Sequence, residues 1–180
     1  MPNWACGYVE ATGKRAGLLA FADRFLDWDS EAKRTTKYFA RSFLETDKES
    51  LSDLIRLMTN ENPEEAVATV SFPVDFAWSA YSCMIGGYPQ QWPEKCITLS
   101  DACVQDQVSV HICTEETGLY FEEEIDADCN GEVQSSCKDL ETARCRKCGF
   151  TMGVASFTDL DDLECLECGE SDFEIIKEEQ

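Results

Sequence analysis

The sequence predicts an α+β fold in two parts, and three observations support this. Segments with apolar residues at every second position alternate with segments where they recur at helical spacing. The chain has 180 residues, 43% of them hydrophobic, which suffices for one core and an appendage. Two Cys-x-x-Cys pairs stand near its end. We therefore predict a ferredoxin-like two-layer α+β sandwich over residues 1–137 and a small cysteine-rich module over residues 143–180.

A strand and an amphipathic helix open the chain. Trp4–Thr12 alternates loosely and is closed by Gly13, as a first strand would be. Between Lys14 and Trp28 the helical spacing is carried by Leu18, Phe21, Ala22 and Phe25. The β-branched and aromatic content of Thr35–Leu44 then predicts a second strand.

A second helix and strand follow. Asp47 or Ser50 can cap a helix that runs to Asn60. Val70–Trp78 alternates as a strand, and Pro73 within it indicates an edge position or a bulge.

The sandwich is completed by a loop, a helix and a hairpin. The segment 86–95 is a Gly/Pro-rich loop. Ser100 is the expected N-cap of a short helix to Gln105. Val108–Cys113 and Leu119–Ile125 predict a hairpin across Glu115–Gly118.

Several of these segments resemble a known family. The opening MPNWAC with Gly13, the Phe76–Ser79 segment, the Leu99–Ser100 helix start and the Glu115–Phe121 hairpin resemble YubB-like proteins. That family is a ferredoxin-like domain of unknown function carried by phages and conjugative plasmids. The resemblance covers about residues 1–135. It implies a ferredoxin-like fold and a mobile-element origin, and it supplies no catalytic residue.

The cysteine-rich module has the ligand spacing of a zinc ribbon. Its four cysteines follow the pattern C-x2-C-x16-C-x2-C and are Cys145, Cys148, Cys165 and Cys168. Gly149 and Gly169 follow the two pairs, where a left-handed backbone lets each turn close. Four thiolates can complete a tetrahedron around Zn²⁺, and iron of the rubredoxin kind is the alternative. Because cysteine fills every position, we expect a structural metal rather than a catalytic one.

The charge of the chain is strongly negative and unevenly distributed. Residues 1–44 carry seven Lys/Arg against five Asp/Glu, residues 45–137 three against nineteen, and residues 138–180 five against twelve. The net charge is −21. Such a surface repels phosphate backbones and can attract proteins with basic faces, including proteins that bind nucleic acid.

These properties favour a non-enzymatic binding protein of a phage or other mobile element, which acts through protein contacts. A sharper hypothesis is that its acidic surface inhibits a host nucleic-acid-binding or defence protein. With no leader and no apolar run of roughly 20 residues, we expect a soluble protein in the bacterial cytoplasm. The alternative is a nucleic-acid-associated protein that uses the basic residues Lys14, Arg15, Arg34 and Arg41.

Other candidate sites have simpler explanations. Asp126-x-Asp128-x-Asn130-Gly131 begins like a calcium loop, but Cys137 takes the place of the bidentate glutamate, and an Asn-Gly turn between strands explains it better. Alternation puts only Glu122 and Glu124 of the acidic triplet on one side, so a solvated face is favoured over a Mg²⁺ cluster.

The only histidine in the chain is His111, two residues from Cys113 on a predicted strand. The two side chains share a face and could help to ligate a second metal, although a packed imidazole is the simpler interpretation. Cys6 and Cys83 could act as nucleophiles with His111, but no nearby charge lowers a thiol pKa, so buried thiols are expected.

Overall fold

A computed structural model describes residues 3–26, 36–60 and 65–176. The larger part of the chain is an antiparallel sheet with helices on one face, and the C-terminal module, residues 140–176, contains a second, smaller sheet. The α+β class predicted from the sequence is therefore confirmed.

The elements follow one another in a simple order. The first sheet contains β1 (Trp4–Lys14), β2 (Ser42–Leu44), β3 (Val67–Ala77), β4 (Val108–Glu116), β5 (Phe121–Ala127) and β6 (Val133–Asp139). The helices are α1 (Arg15–Asp23), α2 (Lys48–Met58), α3 (Ala80–Met84), α4 (Tyr88–Gln91) and α5 (Leu99–Asp106). The C-terminal module contains β7 (Glu141–Cys145), β8 (Thr151–Val154) and β9 (Phe173–Ile176).

The first strand lies near the centre of the large sheet. The strand order is β2-β3-β1-β4-β5-β6, and each pair of neighbouring strands is antiparallel. Alternate residues such as Val9, Phe72 and Ile112 point inward and are buried with the apolar faces of α1, α2 and α5. The opposite side of the sheet, here called the outer face, carries the side chains of the intervening strand residues, such as Glu10 and His111. Among the described elements, no helix packs on this face.

The predicted second strand is wrong over most of its length. Only Ser42–Leu44 is a strand, and the described residues 36–41 form a loop. The reason is aromatic packing: the ring of Phe39 is fully buried and meets Phe21 and Phe25 edge-on at centroid distances of 5.3 and 5.0 Å. A strand would have directed alternate side chains away from this cluster.

Helix starts were predicted with mixed success. Asp47 caps α2, and its carboxylate accepts from the Ser50 backbone N–H at 2.9 Å. The predicted cap of α5 is wrong, because Thr98 accepts from the Asp101 N–H at 3.1 Å. Ser100 instead donates to the Gly131 carbonyl. The first helix is also shorter than predicted: α1 ends at Asp23.

Two short helices were not predicted: α3 follows β3, and α4 lies within the predicted 86–95 loop. The strand implied after the Asn-Gly turn is β6, whose bounds the sequence did not indicate. Pro73 lies in β3 just beyond the three residues that pair with β2, and its carbonyl accepts from the Glu45 N–H at 3.4 Å, so the proline stands where that strand pairing ends.

The described helices are short. None of those in residues 3–26, 36–60 and 65–176 combines the length and apolar character needed to cross a bilayer.

Candidate metal centre

The two cysteine pairs occupy turns with the same backbone hydrogen bonds. In the first turn the Cys145 N–H donates to the Phe150 carbonyl at 2.8 Å, and the Gly149 N–H donates to the Cys145 carbonyl at 2.9 Å. In the second, Cys165 and Gly169 repeat both bonds at 2.8 Å. Gly149 and Gly169 have φ of 81° and 69°, where a side chain would be strained. The sequence prediction about the two glycines is therefore confirmed.

These turns bring the four sulfur atoms together. Cys145 Sγ lies 3.7 Å from Cys168 Sγ, and Cys148 Sγ lies 3.5 Å from Cys165 Sγ. All four sulfurs lie within 4.8 Å of one another, and none is in a disulfide. Four thiolates at a Zn–S distance of about 2.3 Å would be about 3.8 Å apart. The arrangement therefore fits a tetrathiolate metal centre.

The surroundings of the Cys145 thiol favour its ionisation. The pKa of Cys145 is lowered to about 7, first by the backbone N–H of Cys148, which donates to its sulfur. Metal ligation requires the thiolate, so this lowered pKa favours the form of Cys145 that binds a metal. The small core beneath it includes Ala143, Val154 and Phe173.

The basic residues near the first cysteine pair are held in ion pairs. Lys147 contacts Glu170, Arg146 lies 3.4 Å from Asp172, and Arg144 Nε donates to Glu174 at 3.0 Å. The Glu174 pKa is lowered, first by the Arg144 hydrogen bond. The three cations therefore pair with acids of the segment 170–174 beside them, and little positive charge is presented for phosphate.

A buried carboxylate joins the C-terminal module to the outer face of the large sheet. Glu122 is only 3% exposed, and it accepts from the Ser156 hydroxyl and the Lys138 ammonium, each at 2.7 Å, as well as from the Ser156 backbone N–H. Nearby, the rings of Tyr8 and Phe157 meet edge-on at 5.9 Å. The expectation that Glu122 lies on a solvated face is therefore wrong, since the module covers it.

We expect Glu122→Ala to loosen this junction by about 2–3 kcal/mol, because the Ser156 N–H and hydroxyl lose a charged acceptor that is itself buried. Hydrogen exchange should show faster exchange at Ser156 and its neighbours. The matched control is Glu124→Ala, since Glu124 is exposed on the same strand. Equal protection in the two variants would contradict the assigned role.

The calcium-like motif forms a turn between strands, as predicted. The Asp128 carboxylate accepts from the backbone N–H groups of Asn130 and Glu132 at 3.0 and 2.8 Å, and these bonds lower its pKa, the Asn130 side chain contributing most. Gly131 has φ of 87°. Cys137 lies on β6, so the residues of the motif do not surround one point.

The histidine has two close partners, of which the sequence indicated only one. His111 Nε2 lies 3.1 Å from Cys113 Sγ, and Nδ1 lies 2.9 Å from Asp126 Oδ1. Asp126 stands directly across the hairpin from His111, and Glu124 stands across from Cys113. The hairpin register is the signal that could have identified both acids from the sequence.

The other thiols considered as nucleophiles have raised pKa values. Cys83 is buried as predicted, but the prediction is wrong for Cys6, which is exposed at the end of the sheet. Loss of solvent around the sulfur is the main cause for both, and each pKa is about 12. Asp75 raises the pKa of Cys6 further, and Glu123 that of Cys83. Cys83 also donates to the Ala77 carbonyl at 3.3 Å. These surroundings favour the neutral thiol.

Of the four basic residues that the alternative hypothesis assigns to nucleic-acid binding, Arg15 and Arg41 make contacts within the protein. The Arg15 guanidinium donates to the Thr59 hydroxyl at 2.7 Å and to the Arg56 carbonyl at 2.9 Å, at the end of α2. Arg41 lies over the Tyr88 ring, 4.6 Å from its centroid. Lys14 is exposed at the end of β1, and Arg34 lies outside the described residues. The structure does not gather the three described residues, Lys14, Arg15 and Arg41, into one basic patch.

The outer face is acidic. Its strand positions include six carboxylates: Glu10, Asp75, Glu115, Glu122, Glu124 and Asp126. Lys14 and Lys138 are the basic residues at the described strand positions of this face, and Lys138 is paired with Glu122. Away from the C-terminal module, the face therefore presents mainly negative charge.

Comparisons with known proteins do not assign the chain to a family. No protein-family model matches the chain, and neither the curated proteins nor the solved structures provide a match.

Proposed function

We propose that the protein is a non-enzymatic binding protein whose outer face contacts a protein partner with a basic surface. The observation that carries this proposal is the excess of carboxylates on that face. Opposite potentials steer association and disfavour partners that carry phosphate. The C-terminal module covers one end of the face and leaves Glu10, Glu124 and Asp126 accessible in part.

In this proposal the C-terminal module is a zinc ribbon with a structural Zn²⁺. The sulfur separations and the paired turns support a tetrathiolate metal, and Zn²⁺ suits four thiolates without redox chemistry. The metal would stabilise the two cysteine turns, and the partner protein would bind to the outer face of the large sheet. Metal analysis of the purified protein distinguishes zinc from iron.

A ferredoxin-like relationship of residues 1–137 and an origin on a phage or plasmid also remain proposals, supported by the resemblance of the sequence to YubB-like proteins. The sheet differs in one respect: β1 is antiparallel to both of its neighbours, whereas a split βαβ unit contains a parallel pair. On the proposed origin, the partner would be a host protein that normally holds nucleic acid, such as a defence nuclease in the bacterial cytoplasm.

The test is affinity capture of the tagged protein from bacterial lysate, with and without nuclease, read by mass spectrometry. We expect a stoichiometric protein partner that survives nuclease and dissociates as salt is raised. In the triple variant Glu10→Gln/Asp75→Asn/Glu124→Gln, capture should weaken about tenfold or more, at roughly 0.5 kcal/mol for each carboxylate.

The matched control removes the same charge away from the face, in the triple variant Glu94→Gln/Glu141→Gln/Glu167→Gln, whose three positions are exposed. Equal loss of capture in both variants would contradict a specific role of the outer face. Recovery of nucleic acid alone would instead favour the reading based on Lys14, Arg15, Arg34 and Arg41.

A further inference from the structure

A cluster of metal-ligating side chains lies on the outer face, away from the four cysteines. It is built by the hairpin of β4 and β5, where His111 faces Asp126 and Cys113 faces Glu124. A ring nitrogen of His111 and carboxylate oxygens of Glu124 and Asp126 lie within 4.8 Å of one another. Neither the four-cysteine centre nor the proposed partner contact requires this arrangement.

We propose that His111, Glu124 and Asp126 form a second metal site, for a divalent cation of the zinc class. The imidazole nitrogen and the nearer Asp126 oxygen are 2.9 Å apart. Two ligands at about 2.1 Å from one tetrahedral ion would be separated by about 3.4 Å. The pair is therefore already close to the spacing that a shared ion needs.

Each nitrogen of the His111 imidazole has a close side-chain partner. A cluster made only of solvent-exposed carboxylates would have no such fixed ligand. If Nδ1 gives its lone pair to a metal, Nε2 must carry the proton, and Cys113 Sγ at 3.1 Å is its acceptor. Cys113 is only 4% exposed, so its sulfur is fixed by the surrounding structure. Such an outer partner orients the ring of a metal-bound histidine.

The local charge also favours a cation. Glu10 lies across from His111 on the β1 side, so the imidazole is flanked by carboxylates of two neighbouring strands. Lys138, which lies on the same face, is paired with Glu122. Like charges on adjacent strands repel, and a bound divalent ion would relieve that repulsion.

The cluster opens onto a groove that would give the ion free coordination positions. The groove has a volume of about 580 Å³, and polar side chains lining it include Glu10, His111, Asp126, Glu132 and Gln134. Three protein ligands leave at least one position for water or a small oxygen donor. One imidazole with two carboxylates suits Zn²⁺ and its first-row neighbours better than Ca²⁺, which takes six to eight oxygen ligands.

The experiment is calorimetric titration of the full chain with Zn²⁺, after the four-cysteine centre has been filled with one equivalent. We expect one further equivalent in the wild type, and its loss in His111→Gln and in Asp126→Asn. Cys113→Ala should weaken it about ten- to a hundredfold. The control, Glu132→Gln, removes a charge from the same groove and should keep the second equivalent.

A second probe separates the two centres spectroscopically. Co²⁺ in the second site should give only weak visible bands, without the intense thiolate-to-metal absorption of a four-cysteine centre. The proposal is overturned if the wild type takes up no second equivalent. It is also overturned if both ligand variants retain that equivalent, or if Glu132→Gln loses it to the same extent.

Discussion

Cys165→Ser is expected to unfold the C-terminal module while the six-stranded sheet persists. The apolar core of the module is small, with Ala143, Val154 and Phe173 among its few buried residues. Binding of structural Zn²⁺ contributes on the order of 10–16 kcal/mol in comparable small sites, so its loss would exceed what this core can supply. Amides of β7, β8 and β9 should lose most of their protection from hydrogen exchange, and metal analysis should show about one ion per chain fewer than in the wild type.

The control for this substitution is Cys137→Ser, because Cys137 is an exposed thiol outside the cluster. It should keep the metal content and the hydrogen-exchange protection of the wild type. Exhaustive chelation of the wild type should reproduce the effect of Cys165→Ser. Full protection of β7–β9 in a metal-free protein would show that the module does not depend on a metal.

Arg24→Met is expected to destabilise the large sheet and its helices by about 3–5 kcal/mol. Arg24 and Asp106 are both at least nine-tenths buried, and the guanidinium donates to both carboxylate oxygens, with Nη2 at 2.8 Å from Oδ1. It also donates to the Lys37 carbonyl at 3.1 Å. Removing the cation leaves Asp106 as a buried, unpaired charge, which accounts for most of the cost. Urea unfolding of the metal-loaded protein measures this loss in the free energy of unfolding.

The comparison for Arg24 is Arg56→Met, which breaks an ion pair of similar length on the surface. Arg56 and Asp53 are 2.8 Å apart, and their side chains are 57% and 68% exposed. Its loss should change the free energy of unfolding by less than about 1 kcal/mol. The double variant Arg24→Met/Asp106→Leu should recover part of the loss, since no charge is then left buried. If Arg24→Met costs no more than Arg56→Met, the buried pair does not have the assigned role.

The positions of helices and strands were predicted best where a single periodic pattern of apolar residues marked the element. The helical spacing with an Asp47 cap located α2, and strict alternation located β3 to within a few residues. The cysteine spacing brought four sulfurs to one point, because both turns are local and each glycine permits the required backbone. These features depend on residues close in sequence.

The features that could not be predicted depend on distant contacts. Strand β6 is almost fully exposed on both sides, so no alternation marks it. Glu122 is buried because Ser156 and Lys138 approach it, and its own neighbours in sequence carry no sign of that. The predicted hairpin turn over Glu115–Gly118 would have set His111 opposite Glu122. The actual register sets it opposite Asp126, so a small error in a turn concealed the second cluster.

The position of β1 has a consequence for how the chain acquires its structure during translation. β1 lies between β3 and β4 and leaves the ribosome before either of them, and its partners in β4 are synthesised about a hundred residues later. Pairing over such separations is slow, because a long loop must close before any contact forms. Until Val108–Glu116 emerges, one edge of β1 lacks its partner strand and is exposed to pairing with other chains. The nascent polypeptide is thus most vulnerable to aggregation over the interval between these two strands.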